Sequence, residues 1–419
     1  MSSLALLGGP MAVTLEEPEA MAWPVCTEEE EAALLEVLRG RDWSLPPVTR
    51  QFEREFAEYV GVEYALAHNN GTSALHAAMF AVGVGPGDEV ISQAYTYWAT
   101  IMPALALGAT PVFAEVEERS LGLDPEDVER RITERTKAIV VVHLHGVPAD
   151  MDAIMDIATR HGVAVIEDAS HAHGGKLHGR SLGSLGHVNA FSLQSSKLLP
   201  AGEGGVLVTN EREYYERAVL LGHYERIGEL HNEDYRRYSR TCYGFKYRIN
   251  PLAAALARVQ LRRLHERNAR RNRNVELFQS LVGDLPGIQI VGGPPGGRAV
   301  HYQHAMLYKP EELGGLARER LLEAVVAEGA RGFHAERYDG LHCQQVFLDF
   351  DARERSETYR VARRPDGKAR YGAGTLPRTE DTMGRVILTP TFPHASEGLV
   401  RQYGEAVRKV VENHEDLLE

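Results

Sequence analysis

Ala138-Ile-Val-Val-Val142, then Met151, Ile154, Met155 and Ala158 at helical spacing, then Val163-Ala-Val-Ile166 spell an apolar run, an amphipathic helix and a second apolar run. Runs of four or five apolar residues are too short for helices and read as strands covered on both faces. The same alternation extends in both directions, through Tyr64-Ala-Leu-Ala67, Glu89-Val-Ile-Ser92 and Pro111-Val-Phe113 upstream, and Ala190-Phe-Ser-Leu193 and Val206-Leu-Val208 downstream. Leu75, Met79 and Val82 supply another helical repeat between the first two. The expectation is an α/β fold with a mostly parallel, doubly wound sheet. Ligands of such sheets collect at the carboxyl ends of the strands.

At 419 residues the chain is long enough for two domains. The expected division is an N-terminal segment, 1–30, packing near the smaller domain, a large domain at 31–260, and a small α/β C-terminal domain at 261–419. A long arginine-rich helix is expected from Pro251 to Asn274, with Leu252, Leu256, Val259, Leu261 and Leu264 as its apolar stripe. A last helix is expected from Glu397 to Asn413. Gly292 to Gly297 reads as a loop and lacks the Lys-Ser/Thr of a phosphate loop. Arg353 to Arg370 reads as an exposed charged loop or short helix. Gly222 to Gly244, rich in tyrosine and charge, is a long loop candidate where substrate contacts would be sought.

Hydrophobic residues at 43% and charged residues at 25% are those of an ordinary globular protein. A formal net charge of −13 argues against nucleic acid or an anionic membrane as the main partner. Met1 to Pro10 has no basic residue ahead of its short apolar stretch, as a secretory signal would, and no apolar run reaches membrane-spanning length. Cys26, Cys242 and Cys343 are too scattered for a disulfide framework or a paired-cysteine zinc site, so a reducing cytoplasm is the default.

Several residues at the strand ends carry chemistry. Lys197 lies in Phe191-Ser-Leu-Gln-Ser-Ser-Lys197, ahead of Ala201-Gly-Glu-Gly-Gly205, between two expected strands. Read alone, it is either a surface lysine in a serine-rich turn or a half-hidden amine whose lowered pKa suits Schiff-base formation with an aldehyde. Asn69-Asn-Gly-Thr-Ser-Ala-Leu75 follows the first strand and opens a helix, with Thr72 and Ser73 as helix-start residues. It is an ordinary cap or an anion site. Asp168 ends an apolar strand, either solvated or accepting a hydrogen bond from a ring nitrogen. Tyr97 or Trp98 could stack on a planar ring or simply pack. His143, His145, His171, His173 and His178 lack the spacing of a known metal motif, so no metal is expected.

Taken in order, Asn-Gly-Thr-Ser-Ala-Leu, Glu-Asp-Ala-Ser-His-Ala-His-Gly, Phe-Ser-Leu-Gln-Ser-Ser-Lys with Gly-Glu-Gly-Gly, and Tyr247-Arg-Ile-Asn250 closely resemble the DegT/StrS-type sugar aminotransferases. These are fold-type I enzymes using pyridoxal phosphate, and the likeness runs from Leu7-Gly-Gly-Pro10 to Pro390-Thr-Phe-Pro393. The resemblance implies that Lys197 and Asp168 are catalytic, Lys197 joining the cofactor covalently and Asp168 pairing with its ring nitrogen. It puts Tyr97 at the ring-stacking position and His171 beside the ring. Thr72, Ser73 and Ser192 match phosphate-binding positions, with Gly71 among the cofactor-binding residues. Asn250 matches a residue that reaches the phosphate of a neighbouring subunit, which implies a homodimer.

The dehydratase branch of that family carries histidine in place of the lysine, so Lys197 puts this chain with the aminotransferases. The implied activity moves an amino group from glutamate or glutamine to the ketone of an oxo-sugar or oxo-cyclitol, in aminosugar, aminocyclitol or antibiotic biosynthesis. Gln194 and the Gly-Gly-Pro start lean toward members acting on oxo-cyclitols or making aminohydroxybenzoate. The alternatives are a 3-amino-5-hydroxybenzoate synthase-like enzyme and a non-catalytic regulatory member. A nicotinamide-dependent oxidoreductase is disfavoured, since no Gly-x-Gly-x-x-Gly follows a strand.

Overall fold

The structure, a computed structural model, describes residues 3–348 and 371–418, apart from 42, 45 and 46. The charged stretch Arg353 to Arg370 therefore lies outside the described residues. The strands, in chain order, are β1 (Tyr64–His68), β2 (Glu89–Gln93), β3 (Thr110–Ala114), β4 (Thr136–Val142), β5 (Ala164–Asp168), β6 (Lys176–Leu177), β7 (Arg180–Ser181), β8 (Val188–Ser192) and β9 (Gly205–Thr209). Those after them are β10 (Ile288–Ile290), β11 (Gly297–Arg298), β12 (His304–Tyr308), β13 (His334–Ala335) and β14 (Val386–Thr389).

Seven strands form the main sheet in the order β1-β9-β8-β5-β4-β2-β3. All neighbours are parallel except that β9 runs antiparallel to both β1 and β8. Successive residues feed opposite faces, as a pleated strand requires. Ile91, Ile139 and Val165 enter the core under Phe52, Phe56 and Leu264, while Val90, Val140 and Ile166 enter the core under Leu75 and Met79. Both faces are covered, hence the continuous apolar runs in the sequence.

A second sheet, β10-β12-β14-β13, is antiparallel throughout. Its core gathers Phe278, Met306, Ile387, Phe392 and Tyr403, together with Leu4, Val13 and Ala20 from the N-terminal segment. Glu328, fully buried, accepts hydrogen bonds from the N–H groups of Ala5 and Ala12 and from Lys409 Nζ, at 2.8, 3.0 and 2.7 Å. The segment is thereby fastened to the second sheet's layer.

The long helix runs from Pro251 to Val282, eight residues past the expected end at Asn274. Its apolar stripe changes partner rather than stopping: Ala254, Ala257, Leu261 and Leu264 join the main core, whereas Phe278 and Val282 join the second. No described helix is long and apolar enough to cross a membrane.

Candidate active site

Lys197 sits in the connection between β8 and β9. The ends of this connection are pinned by Leu193 N–H to the Gly204 carbonyl and Ala201 N–H to the Leu193 carbonyl, both 2.8 Å. Leu198, Leu199 and Ala201 are buried beneath it. Trp23 Nε1 donates to the Lys197 carbonyl at 3.1 Å, so the N-terminal segment holds the lysine backbone from the other side. The side chain is half-buried and lines a cavity of about 420 Å³, a size usual for small-molecule sites. Its Nζ lies 4.5 Å from the centre of the Tyr302 ring. Burial pulls the amine down from 10.5 to about 8, against the partial opposition of the Asp168 charge.

Asp168 closes β5, and its buried carboxylate faces the same cavity. Thr100 Oγ1 donates to Asp168 Oδ2 at 2.7 Å and the Ser170 N–H donates to Oδ1 at 3.2 Å. Thr100 is in turn linked to Thr96 at 2.9 Å. These bonds fix the orientation of an acceptor aimed into the cavity.

The helix Gly71–Ala81 begins at the cavity wall. Its cap is Asn70, whose side chain accepts the Ser73 N–H at 2.8 Å, rather than the expected Thr72 or Ser73. The first N–H groups of a helix have no partner within it, and those of Gly71 and Thr72 lie where an anion would be held. A side chain on Gly71 would bring its Cβ to 2.8 Å from Ser192 Cβ, and one on Gly205 would run into the Asn70 carbonyl. Both glycines let the helix start approach β8 and β9 closely. The cradle fits a phosphate, the carboxylate fits a protonated ring nitrogen, and the amine fits an aldehyde.

Of the expected site residues, Gly71, Thr72, Tyr97, Asp168, His171, Ser192 and Lys197 come together around this cavity. Ser73 does not line it; its hydroxyl donates to Asn69 Oδ1 at 2.6 Å. Asn250 is also elsewhere, capping the long helix through a 2.9 Å bond from the Leu252 N–H. Tyr97 leaves 44% of its surface exposed at the mouth, against Trp98 at 4.9 Å. His171 stacks on Tyr302 with ring centres 4.2 Å apart, and burial followed by the Lys197 charge holds it well below the usual histidine range, hence neutral.

Of the remaining histidines only His145 also lines the cavity. His143 pairs with Glu167 at 2.8 Å, His178 with Asp152 at 2.7 Å, and His145 with the Tyr95 hydroxyl at 3.2 Å, while His173 packs against Phe191. A separate trio, His342, Cys343 and Glu380, has potential ligand atoms within 4.8 Å of one another. Glu380 there already accepts the N–H of Gly374 and a bond from His342.

Segment Gly222 to Gly244 does not line the cavity; it packs by the end of β1, where His223 lies 5.0 Å from His68 between ring centres and Arg226 pairs with Glu53 at 2.9 Å. Sequence reasoning missed Thr100, Tyr302, Gln303 and Tyr338, which do line it. Thr100 was within reach, two residues after Trp98. The other three arrive from beyond the long helix with no local signal.

The model of the DegT/DnrJ/EryC1/StrS aminotransferase family matches residues 24–408. L-glutamine:2-deoxy-scyllo-inosose aminotransferase of Streptoalloteichus tenebrarius is 34% identical, covering 94% of this chain and 96% of its own. The 3-amino-5-hydroxybenzoate synthase of Amycolatopsis mediterranei is 39% identical over 76% of this chain and 82% of its own. A solved 3-amino-5-hydroxybenzoic acid synthase superposes with a TM-score of 0.79 at 31% identity, covering 95% of this chain and 100% of that one. The chain belongs to the DegT/DnrJ/EryC1/StrS aminotransferase family. It is a pyridoxal phosphate-dependent aminotransferase of fold type I.

Proposed function

We propose that this enzyme takes nitrogen from glutamine or glutamate and passes it to the ketone of an oxo-cyclitol or oxo-sugar, in the making of an aminocyclitol, aminosugar or related antibiotic. The carrying observation is the wall around the reactive amine. Gln194, Ser196, Tyr302, Gln303 and Tyr338 present neutral hydrogen-bonding groups, the acids of the lining are Asp168 and Glu203, and among the described residues Lys197 is the only lysine or arginine lining this cavity. Such a wall suits an uncharged polyol ring. The relative that uses glutamine and an inosose supports the same class.

When bound, pyridoxal phosphate supplies a carbonyl carbon that exchanges nitrogen and a protonated ring that accepts the electron pair released at the donor's α-carbon. Asp168, oriented by Thr100 and Ser170, holds the proton on the ring nitrogen. The start of the helix Gly71–Ala81, with Thr72 and Ser192, takes the phosphate. Tyr97 and His171 serve the ring faces. Lys197 is the amine that would join the cofactor's aldehyde at rest; once free, its Nζ would move a proton between the donor's α-carbon and the carbon on the far side of the transferred nitrogen. An amine with a pKa near 8 can both accept and return that proton close to neutral pH.

Asn250, which does not line the cavity of its own chain, fits the reading if two copies pair and it serves the neighbouring phosphate. A homodimer is therefore part of the proposal. So is a cytoplasmic setting, in keeping with three free cysteines. A second reading, a 3-amino-5-hydroxybenzoate synthase-like enzyme, is favoured by the 39% identical relative.

The deciding experiment is the reverse half-reaction. Amino cyclitols and amino sugars, added singly to the yellow holoenzyme, should convert the aldehyde form of the cofactor to its amine form, followed by absorbance. Conversion by glutamine but by no amino polyol would favour the second reading, and conversion by neither would end the aminotransferase assignment to these substrates.

A further inference from the structure

His145 lines the cavity around Lys197 and is only 1% exposed. It stands in the turn after β4 with φ 57° and ψ 7°, a left-handed setting that residues with a Cβ seldom adopt. Two other residues of the cavity wall hold it there. Its N–H donates to His171 Nδ1 and its carbonyl accepts the Gln303 N–H, both at 3.3 Å. Backbone strain kept at the wall of a site points to a side chain whose direction matters.

The two ring nitrogens have different fates. Nε2 lies 3.2 Å from the Tyr95 hydroxyl, behind the wall, where neither Tyr95 nor Glu336 lines the cavity. The Tyr95 hydrogen is already committed to Glu336 Oε2 at 2.5 Å, and burial, then Glu336, raises the phenol well above its usual range, so it keeps that hydrogen. Glu336 also accepts the N–H groups of Arg337 and Tyr338, at 2.6 and 3.0 Å. Toward His145 the phenol oxygen is therefore left as an acceptor, and Nε2 must carry a hydrogen.

Burial, against the pull of Glu336, lowers His145 to about 4, so near neutral pH the ring is uncharged and holds one hydrogen only. With that hydrogen on Nε2, Nδ1 is a bare lone pair. Nδ1 is buried without a hydrogen-bond partner; Gln303 stands close enough to favour the ring's charged form but closes no bond with it. An acceptor left unpaired at this depth is unfavourable until a donor reaches it. The donors that can reach it are those brought into the cavity.

We propose that His145 Nδ1 accepts a hydrogen bond from a hydroxyl of the cyclic polyol, and so favours the polyol over the amino acid that precedes it in the same cavity. This inference rests on the two-substrate reading above and deepens it. A lone pair attracts a hydroxyl hydrogen and repels a carboxylate, so the contact serves one substrate and not the other. Tyr95 and Glu336 are positioning residues: they fix the tautomer of His145 and touch neither substrate.

The test follows both half-reactions by cofactor absorbance in His145→Phe and His145→Asn holoenzymes. For His145→Phe the apparent Kd for an amino cyclitol should rise on the order of tenfold, the size of one buried hydrogen bond, and the loss with glutamine should be several-fold smaller. Asparagine tolerates the left-handed backbone and offers a side-chain oxygen as acceptor, so His145→Asn should recover most of the binding. One monodeoxy amino cyclitol, lacking the bound hydroxyl, should be indifferent to His145→Phe, while isomers lacking another hydroxyl should lose as much as the parent. Calorimetric titration with scyllo-inositol, which has neither ketone nor amine, should show the same weakening and reads the contact without turnover. Equal losses in both half-reactions, or no monodeoxy isomer spared, would overturn the inference and leave the proposed acceptor standing. A wild type converted by glutamine but by no amino polyol would overturn the proposed acceptor, and the inference with it.

Discussion

Asp168 and Lys197 face one cavity with opposite electrostatic needs. The carboxylate must stay charged to hold a ring proton, and the amine must be able to lose its own. Thr100 orients the carboxylate by donating to Oδ2 at 2.7 Å, and burial serves the amine by bringing it to about 8. Thr100→Val should lower kcat/KM on the order of tenfold, through one charge-assisted hydrogen bond, and should shift the pH at which the bound cofactor's absorbance titrates. Lys197→Ala should yield no borohydride-reducible adduct with pyridoxal phosphate; a reducible adduct at full stoichiometry would remove Lys197 from its role. A lowered amine pKa means the neutral base becomes abundant as pH rises. Single-turnover rates of the donor half-reaction should accordingly climb about tenfold per pH unit below 8 and level off above it.

At the scale of elements, the helix Gly71–Ala81 and the strands β8 and β9 work as a unit. Their spacing depends on two positions without side chains, and on Asn70 turning its amide into the first turn. Gly71→Ala should weaken pyridoxal phosphate binding at least tenfold, because the added methyl meets Ser192 Cβ at 2.8 Å; fluorescence titration of the apoenzyme would show it. Every strand of the main sheet was legible in the sequence, since covering both faces forces continuous apolar runs. The helix cap lies two or three residues ahead of Thr72 and Ser73, at Asn70, because asparagine, threonine and serine are all competent caps. The end of the long helix was missed for a related reason. Its buried stripe passes from one core to another, and periodicity does not say which surface it meets.

At the scale of the molecule, the N-terminal segment joins the second sheet's core and also reaches the loop of Lys197. Glu328 anchors it with a charge at zero exposure, satisfied by two backbone N–H groups and Lys409. Glu328→Ala would leave those donors without their acceptor and should reduce unfolding free energy by about 3 kcal/mol in denaturant titration. A change within 0.5 kcal/mol would show the segment to be loosely held.

Chain order alone determined the doubly wound sheet and placed Lys197, Asp168 and the glycine-bearing helix start at the ends of its strands, because each lies within a few residues of a strand whose apolar pattern announces it. Tyr302, Gln303 and Tyr338 were decided only by the tertiary structure. They come from elements after β9, brought over the ends of β4, β5 and β8 by the long helix and the second sheet, and no local period records where such a crossing lands. The lysine's lowered pKa belongs to the same class: burial and a neighbouring carboxylate set it, and both are properties of the packed molecule rather than of the serines beside it.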